Sequence, residues 1–428
     1  MAEIYPFRAL RYNEAKVALE DVITQPYDKI SPEMLARYRA RSPYNLARII
    51  KNPDYAGAAR CLEEWRRESV LRSDDAPALY PYFQTYRPPG AVADIVRKGL
   101  IAAGRLEPYG AGVVFPHERT LAGPKLDRLE LLRATRVHFG QLFMLFSDPA
   151  GKVDALLDAA AADKATAELR DEYGFLHQVW QVREPEGIAA LRRAMHDKKL
   201  LIADGHHRYE TALAFRDECR ASARHGSGAG STHACEAVMM TLVNMEAPGL
   251  TILPAHRLLA RLPGFDAARF LASASRYFEA TPAPFEEGMR RLAAYAAGEA
   301  AGVAVAGNGG PRFLVLRLRP ETDLAALLPQ YSAGHRRLDV VVLHDVLLRH
   351  CLGIDEAAVR EERFLEYLRE AARGWEAVAA GAPACFFLNP VRIEQVRDIA
   401  FAGGVMPQKS TDFFPKMLSG LCGYRVED

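Results

Sequence analysis

The chain has 428 residues, 49% of them hydrophobic, enough for a substantial core and more than one lobe. Its 55 Lys and Arg against 54 Asp and Glu leave a net charge of +1, which argues against an overall field for nucleic acid or anionic membrane. A run of about 18 apolar residues is lacking, the start shows no secretory pattern, and six scattered cysteines form no C-x-x-C pair, so a cytoplasmic chain with reduced thiols is expected.

From the N-terminus, VITQPYDKISPEML reads as a strand, a turn at Pro26 and a helix entered at Ser31-Pro32, Ser as N-cap and Pro at the first helical position. Residues 56–72 read as a helix, and ALYPYFQTY and RKGLIAAGRL as two strands about a Pro-Pro-Gly turn. VVF is a short strand before a loop and a helix whose buried side holds Leu129, Leu132 and Leu126. QLFMLFSD is a strand, 151–170 an alanine-rich helical stretch, and EGIAALRRAMHDK a helix ahead of a strand at 200–203. The segment RHGSGAGSTH reads as a flexible surface connector and AVMMTLVNM as a buried strand. Beyond about 262, Ala- and Arg-rich helices alternate with strands such as VAVAG and RFLVLRL, then a long helix near LDVVVLHDVLLRHCLGI, the strand ACFFLNP and the helix VRIEQVRDIAFAG. The alternation predicts a mixed α/β chain in two parts, 1–261 and 262–428.

The strongest chemical signal is LLIADGHHRYETA, where a strand runs into Asp204-Gly205 and a helix opens on His206, His207 and Arg208. A helix N-terminus attracts anions through its N–H groups and its dipole. Gly205 permits a sharp turn and close backbone approach, Arg208 offers a forked cationic donor set, and the histidines add further donors. Asp204 can cap the helix or hold a divalent cation such as magnesium beside phosphates. Zinc suits the pair less well, because adjacent helical side chains diverge by about 100°. The plain alternative is a capped helix with solvated histidines.

Three further stretches carry candidate chemistry. PHERT sets His117 and Glu118 in a loop, the carboxylate suited to act as general base for a hydroxyl nucleophile or to ligate Mg²⁺, the plain alternative being a surface loop with solvated charges; position 121 is Leu, so H-E-x-x-H fails. MPQKST offers Lys409 as a point charge with the Ser410 and Thr411 hydroxyls, outside any Walker frame. In PYDKIS, Asp28 can accept from a substrate or simply brace its turn; Arg128 is a second candidate substrate contact, and His256-Arg257 adds positive charge at a strand end. G-x-S-x-G is absent, and AGNGGPRF lacks dinucleotide-turn spacing.

DGHHR resembles the phosphate-binding motif of the ParB/sulfiredoxin-like superfamily, which includes CTP-binding partitioning clamps, sulfiredoxin and free-serine kinases. Over PYDKIS, PHERT, DRLELLRAT, IADGHHRYETA, LTILPAHR, FFLNP and MPQKSTDFFPK, in that order, the chain resembles the domain of unknown function 1015 family. The resemblance implies a ParB-like nucleotide-binding core elaborated by a second α/β lobe. It also implies a nucleotide-dependent phosphotransferase using ATP or ADP with Mg²⁺ on a small hydroxyl metabolite, free L-serine being one candidate. The alternatives are a nucleotide-gated clamp, for which no helix-turn-helix is found, and a small-molecule phosphatase. Partners would be nucleotide and small-molecule substrate, with a homodimer allowed and neither membrane nor nucleic acid expected.

Overall fold

The computed structural model describes residues 1–118, 122–224, 232–307 and 310–426. The chain is a mixed α/β protein that divides into two units: Met1–Pro116 with Thr120–Thr251 and Phe414–Asp428, and Ile252–Phe413 with His117–Arg119. The sequence reading placed a single cut near 262. The observed division is discontinuous, because strand pairing and packing return the C-terminal segment to the first unit, which local composition cannot report.

In the first unit the described residues form a nine-stranded sheet. Its path runs Val114–Phe115, Leu200–Asp204, Leu142–Phe146, Ala237–Asn244, Ile95–Arg105, Tyr80–Tyr86, Leu176–Val179, Ala167–Arg170, with Ile4–Tyr5 pairing Ile95–Arg105 off that path. Leu200–Asp204 runs parallel to Val114–Phe115 and antiparallel to Leu142–Phe146. All eight residues of Ala237–Asn244 are buried, as a strand covered on both faces requires. Leu142, Met144, Ile202, Met240 and Leu242 pack there with Tyr209 and Ala212 of the helix His206–Arg224.

The second unit holds a six-stranded sheet among the described residues, ordered Phe278–Ala283, Arg312–Leu318, Ala300–Val305, Ala384–Phe387, His256–Leu259, Leu365–Leu368, with antiparallel pairing throughout. Its core gathers Leu258, Leu292, Phe313, Val315, Val378 and Phe387.

Several local expectations hold. Helix Pro32–Arg41 opens with the Ser31 hydroxyl accepting from the Met34 N–H at 3.2 Å. The strands Tyr80–Tyr86, Ile95–Arg105 and Leu142–Phe146 fall where their apolar patterns put them. Others do not. Val22 closes the short helix Leu19–Val22, so the VIT stretch is not a strand. The helix expected over 151–170 stops at Ala160, and Ala167–Arg170 joins the sheet edge. On Ala122–Thr135, Leu132 is buried as expected with Leu131 beside it, Leu129 is half-buried, and Leu126 is exposed. The long helix near 340 is α-helical only over Asp339–Val341 and then a ten-residue π-helix, Val342–Cys351. The connector RHGSGAGSTH lies largely outside the described residues. No helix among the described residues is long and apolar enough to cross a membrane.

Candidate functional site

Strand Leu200–Asp204 ends where its register against Leu142–Phe146 shifts between Ile202 and Asp204, an irregularity that re-aims the last side chain. Gly205 follows at φ +102°, a conformation that L residues rarely adopt, and a Cβ there would lie 2.8 Å from Leu142 Cδ2. The helix begins at His206, the Tyr209 N–H donating to the Gly205 carbonyl at 2.9 Å. Tyr209, Ala212 and Phe215 are buried, so the turn stands on a packed helix.

Arg208 reaches back one turn, its Nη2 2.6 Å from Asp204 Oδ2, while its Nη1 donates to the Gln141 carbonyl. The other Asp204 oxygen faces Lys416 Nζ at 3.5 Å. Burial pushes the Asp204 carboxyl up, but Lys416, Arg208, Lys29 and His206 outweigh it and hold the group well below the usual carboxylate range. More positive than negative charge therefore converges on this carboxylate.

Lys416 owes its place to Arg97, a buried guanidinium that donates to the Phe414 carbonyl at 3.0 Å and the Pro415 carbonyl at 2.5 Å. Gln84 accepts from Arg97 Nε at 3.0 Å and donates to the Lys416 carbonyl at 3.2 Å. Gln141 donates to the Leu418 carbonyl at 3.0 Å, so the residue whose own carbonyl holds Arg208 also holds the returning segment.

PYDKIS reaches the same corner. Asp28 and Lys29 lie on the 3₁₀ turn Tyr27–Lys29, with an ion pair of 3.6 Å between them. Arg128 sits 4.2 Å from the Tyr27 ring centroid and donates to the Ile50 carbonyl and to Asp127, both at 2.9 Å. His207 is pushed down by burial, with Glu210, Lys125, Asp28 and Arg208 around it. A cavity of about 60 Å³ is lined by Tyr27, Arg128, His138, Gly140, Arg208 and Thr211 among others, too small for a nucleotide. The first unit's larger cavity, about 1140 Å³, is lined by residues such as Phe7, Arg8, Arg105 and Tyr424, and shares none of these groups.

The other candidates assemble within the second unit. His117 is buried, and its Nε2 lies 2.7 Å from Thr411 Oγ1, a pair 294 residues apart in sequence. The Met406 N–H donates to the His117 carbonyl at 2.8 Å, so PHERT and MPQKST are laid side by side. Glu118 Oε1 is 3.9 Å from His117 Nε2 and is buried without a hydrogen-bond partner among the described residues. The Ser410 hydroxyl donates to the Pro407 carbonyl at 2.5 Å. Lys409, at φ +57°, gives its carbonyl to Arg257 Nη2 at 2.9 Å.

Lys29, Lys416 and Gln141 were not singled out from the sequence. Lys29 and Lys416 stand inside the quoted stretches PYDKIS and MPQKSTDFFPK, the available signal for them; Gln141 has none. As to a metal, the described residues contain no group of three or more His, Cys, Asp or Glu able to hold one. Asp204 already answers two cations, Arg208 and Lys416, one on each oxygen.

Comparison with solved structures returns a free serine kinase in complex with ADP at 11% identity and TM-score 0.34, covering 76% of this chain and 92% of that one. A conserved hypothetical protein from Pyrococcus furiosus matches at 11% identity and TM-score 0.34, covering 76% and 95%. SbnI with a C-terminal truncation, from Staphylococcus aureus, matches at 10% and 0.33, covering 75% and 87%. No curated protein matches the chain. The family model described as Protein of unknown function (DUF1015) matches residues 4–341, and the chain belongs to that family.

Proposed function

We propose that this protein binds the phosphates of a nucleotide, ATP or ADP, at the Asp204–Arg208 corner and transfers a phosphoryl group to the hydroxyl of a small metabolite. The observation that carries this reading is the approach of Arg208 and Lys416 to the single carboxylate of Asp204, at 2.6 and 3.5 Å, where a helix starts. Two cations on one carboxylate at a helix N-terminus, whose first N–H groups lack intrahelical partners, are what phosphate oxygens select. Gly205 lets a ligand approach the backbone.

In the reaction, the acceptor oxygen would attack the terminal phosphorus. A new O–P bond forms, the bond from phosphorus to the bridging oxygen breaks, and the hydroxyl proton leaves to a base. Asp28 and Arg128 are the proposed acceptor contacts, and free L-serine is the first acceptor to try. Magnesium, when bound, would neutralise phosphate charge.

The test is direct. The full chain is incubated with ATP or ADP, Mg²⁺ and a panel of hydroxyl metabolites headed by L-serine, and new phosphate esters are followed by phosphorus NMR. Ester formation supports the proposal. Release of inorganic phosphate alone replaces it with a phosphatase, and nucleotide binding without turnover replaces it with a nucleotide-gated switch.

A further inference from the structure

Arg257 belongs to an interior strand of the second unit, opposite Tyr367 on one side and Phe386 on the other. It is 1% exposed, yet among the described residues it makes no ion pair within 4 Å. Its Nη1 donates to the Ala255 carbonyl and its Nη2 to Lys409, and its Nε is buried with no hydrogen-bond partner. A guanidinium buried without a contacting carboxylate is costly, so a fold that keeps one uses it or loses stability for nothing.

Two more orphaned polar atoms belong to the same neighbourhood. His344 Nε2 is buried without a partner, on the π-helix Val342–Cys351, a form that is rare and recurs at functional sites. Burial and then the Arg257 charge push His344 well down, so its ring is neutral and its Nε2 can donate. Glu118 Oε1 is the third orphan, and its charge acts on Arg257. Lys409 completes the group: its Nζ and the Arg257 guanidinium share the Tyr367 ring, at 6.0 and 5.1 Å from its centroid. The carboxylates of Glu118 and Glu362 act on this ring as well, yet among the described residues neither cation has a carboxylate within 4 Å.

We infer that Arg257, His344 and Lys409 form a binding site for a small oxyanion, a carboxylate or a phosphate group, built from residues other than those of the Asp204 corner. Arg257 Nε and His344 Nε2 are the donors, and Lys409, whose side chain is exposed, supplies charge. Binding at the site does not depend on the reading of the Asp204 corner.

The experiment is isothermal titration of the full chain with sodium acetate and, separately, with inorganic phosphate, at an ionic strength held constant with chloride. Lys409→Met, at an exposed position, and His344→Phe, of similar volume, are compared with Arg208→Ala, each checked by circular dichroism. Acetate binding weakened about tenfold or more by Lys409→Met and His344→Phe, and unmoved by Arg208→Ala, supports a carboxylate site. The same pattern with phosphate supports a phosphate site. Binding of neither anion, or weakening by Arg208→Ala alone, overturns the inference, the orphaned atoms then holding water only. Should His344→Phe fail to fold, Lys409→Met decides. Phosphate binding weakened by Lys409→Met and unmoved by Arg208→Ala supports this site and at the same time counts against the Asp204 corner.

Discussion

Arg208 and Asp204, four residues apart, close an ion pair of 2.6 Å across the turn that joins strand to helix. The same guanidinium is held by the Gln141 carbonyl, so its fork is set before any ligand arrives. Arg208→Ala should weaken ADP binding at least tenfold in equilibrium titration, the loss of a charged hydrogen-bonding group. Asp204→Asn should destabilise the chain by about 1–3 kcal/mol in urea unfolding, because the cations around it lose their counter-charge. An Arg208→Ala protein that binds ADP as tightly as the parent removes the corner from the functional argument.

Gly205 is a backbone requirement. At φ +102° with Leu142 in the way of a Cβ, Gly205→Ala should cost about 1–3 kcal/mol. Thermal unfolding measures this directly, and an unchanged midpoint would show that the turn relaxes without strain.

Arg97 organises the returning C-terminal segment. Arg97→Met leaves Gln84 and the carbonyls of Phe414 and Pro415 without their donor, a loss of about 2–4 kcal/mol. Since Lys416 follows directly, ADP affinity should fall as well. Destabilisation with full affinity would separate Lys416 from this support.

Acid should destabilise the second unit. Burial, then Arg257, holds His256 at about 4 against an ordinary 6.5, so its contribution is complete above about 6.5 and is lost as pH falls towards 4. Asp339 runs the other way: burial raises it to about 6 despite hydrogen bonds from Gly298 and Asn389, so its contribution is complete below its ordinary range and lost as pH rises through 6. The buried and lowered His344 sides with His256, so net stability should drop by up to a few kcal/mol between pH 7 and 5. His256→Gln retains an acceptor for the Leu388 N–H and should flatten that slope in urea unfolding at stepped pH.

Local chemistry was legible from the residues alone: the Ser31 cap, the apolar strands, and the passage from Leu200–Asp204 through glycine into a helix at His206. Those features depend on neighbours within a few positions, where capping, periodicity and glycine's freedom act. Packing decided the rest. The exposure of Leu126 on Ala122–Thr135, the point where the alanine-rich helix stops, and the π-helical winding at Val342 answer to distant partners that no window of sequence contains. The site follows the same division. Asp204, Gly205 and Arg208 announce themselves in one short run, but the charge that makes the corner cationic comes also from Lys29 and Lys416, and His117 finds Thr411 across 294 residues. Charge acts through space and irrespective of chain order, so only the tertiary structure could bring those groups together.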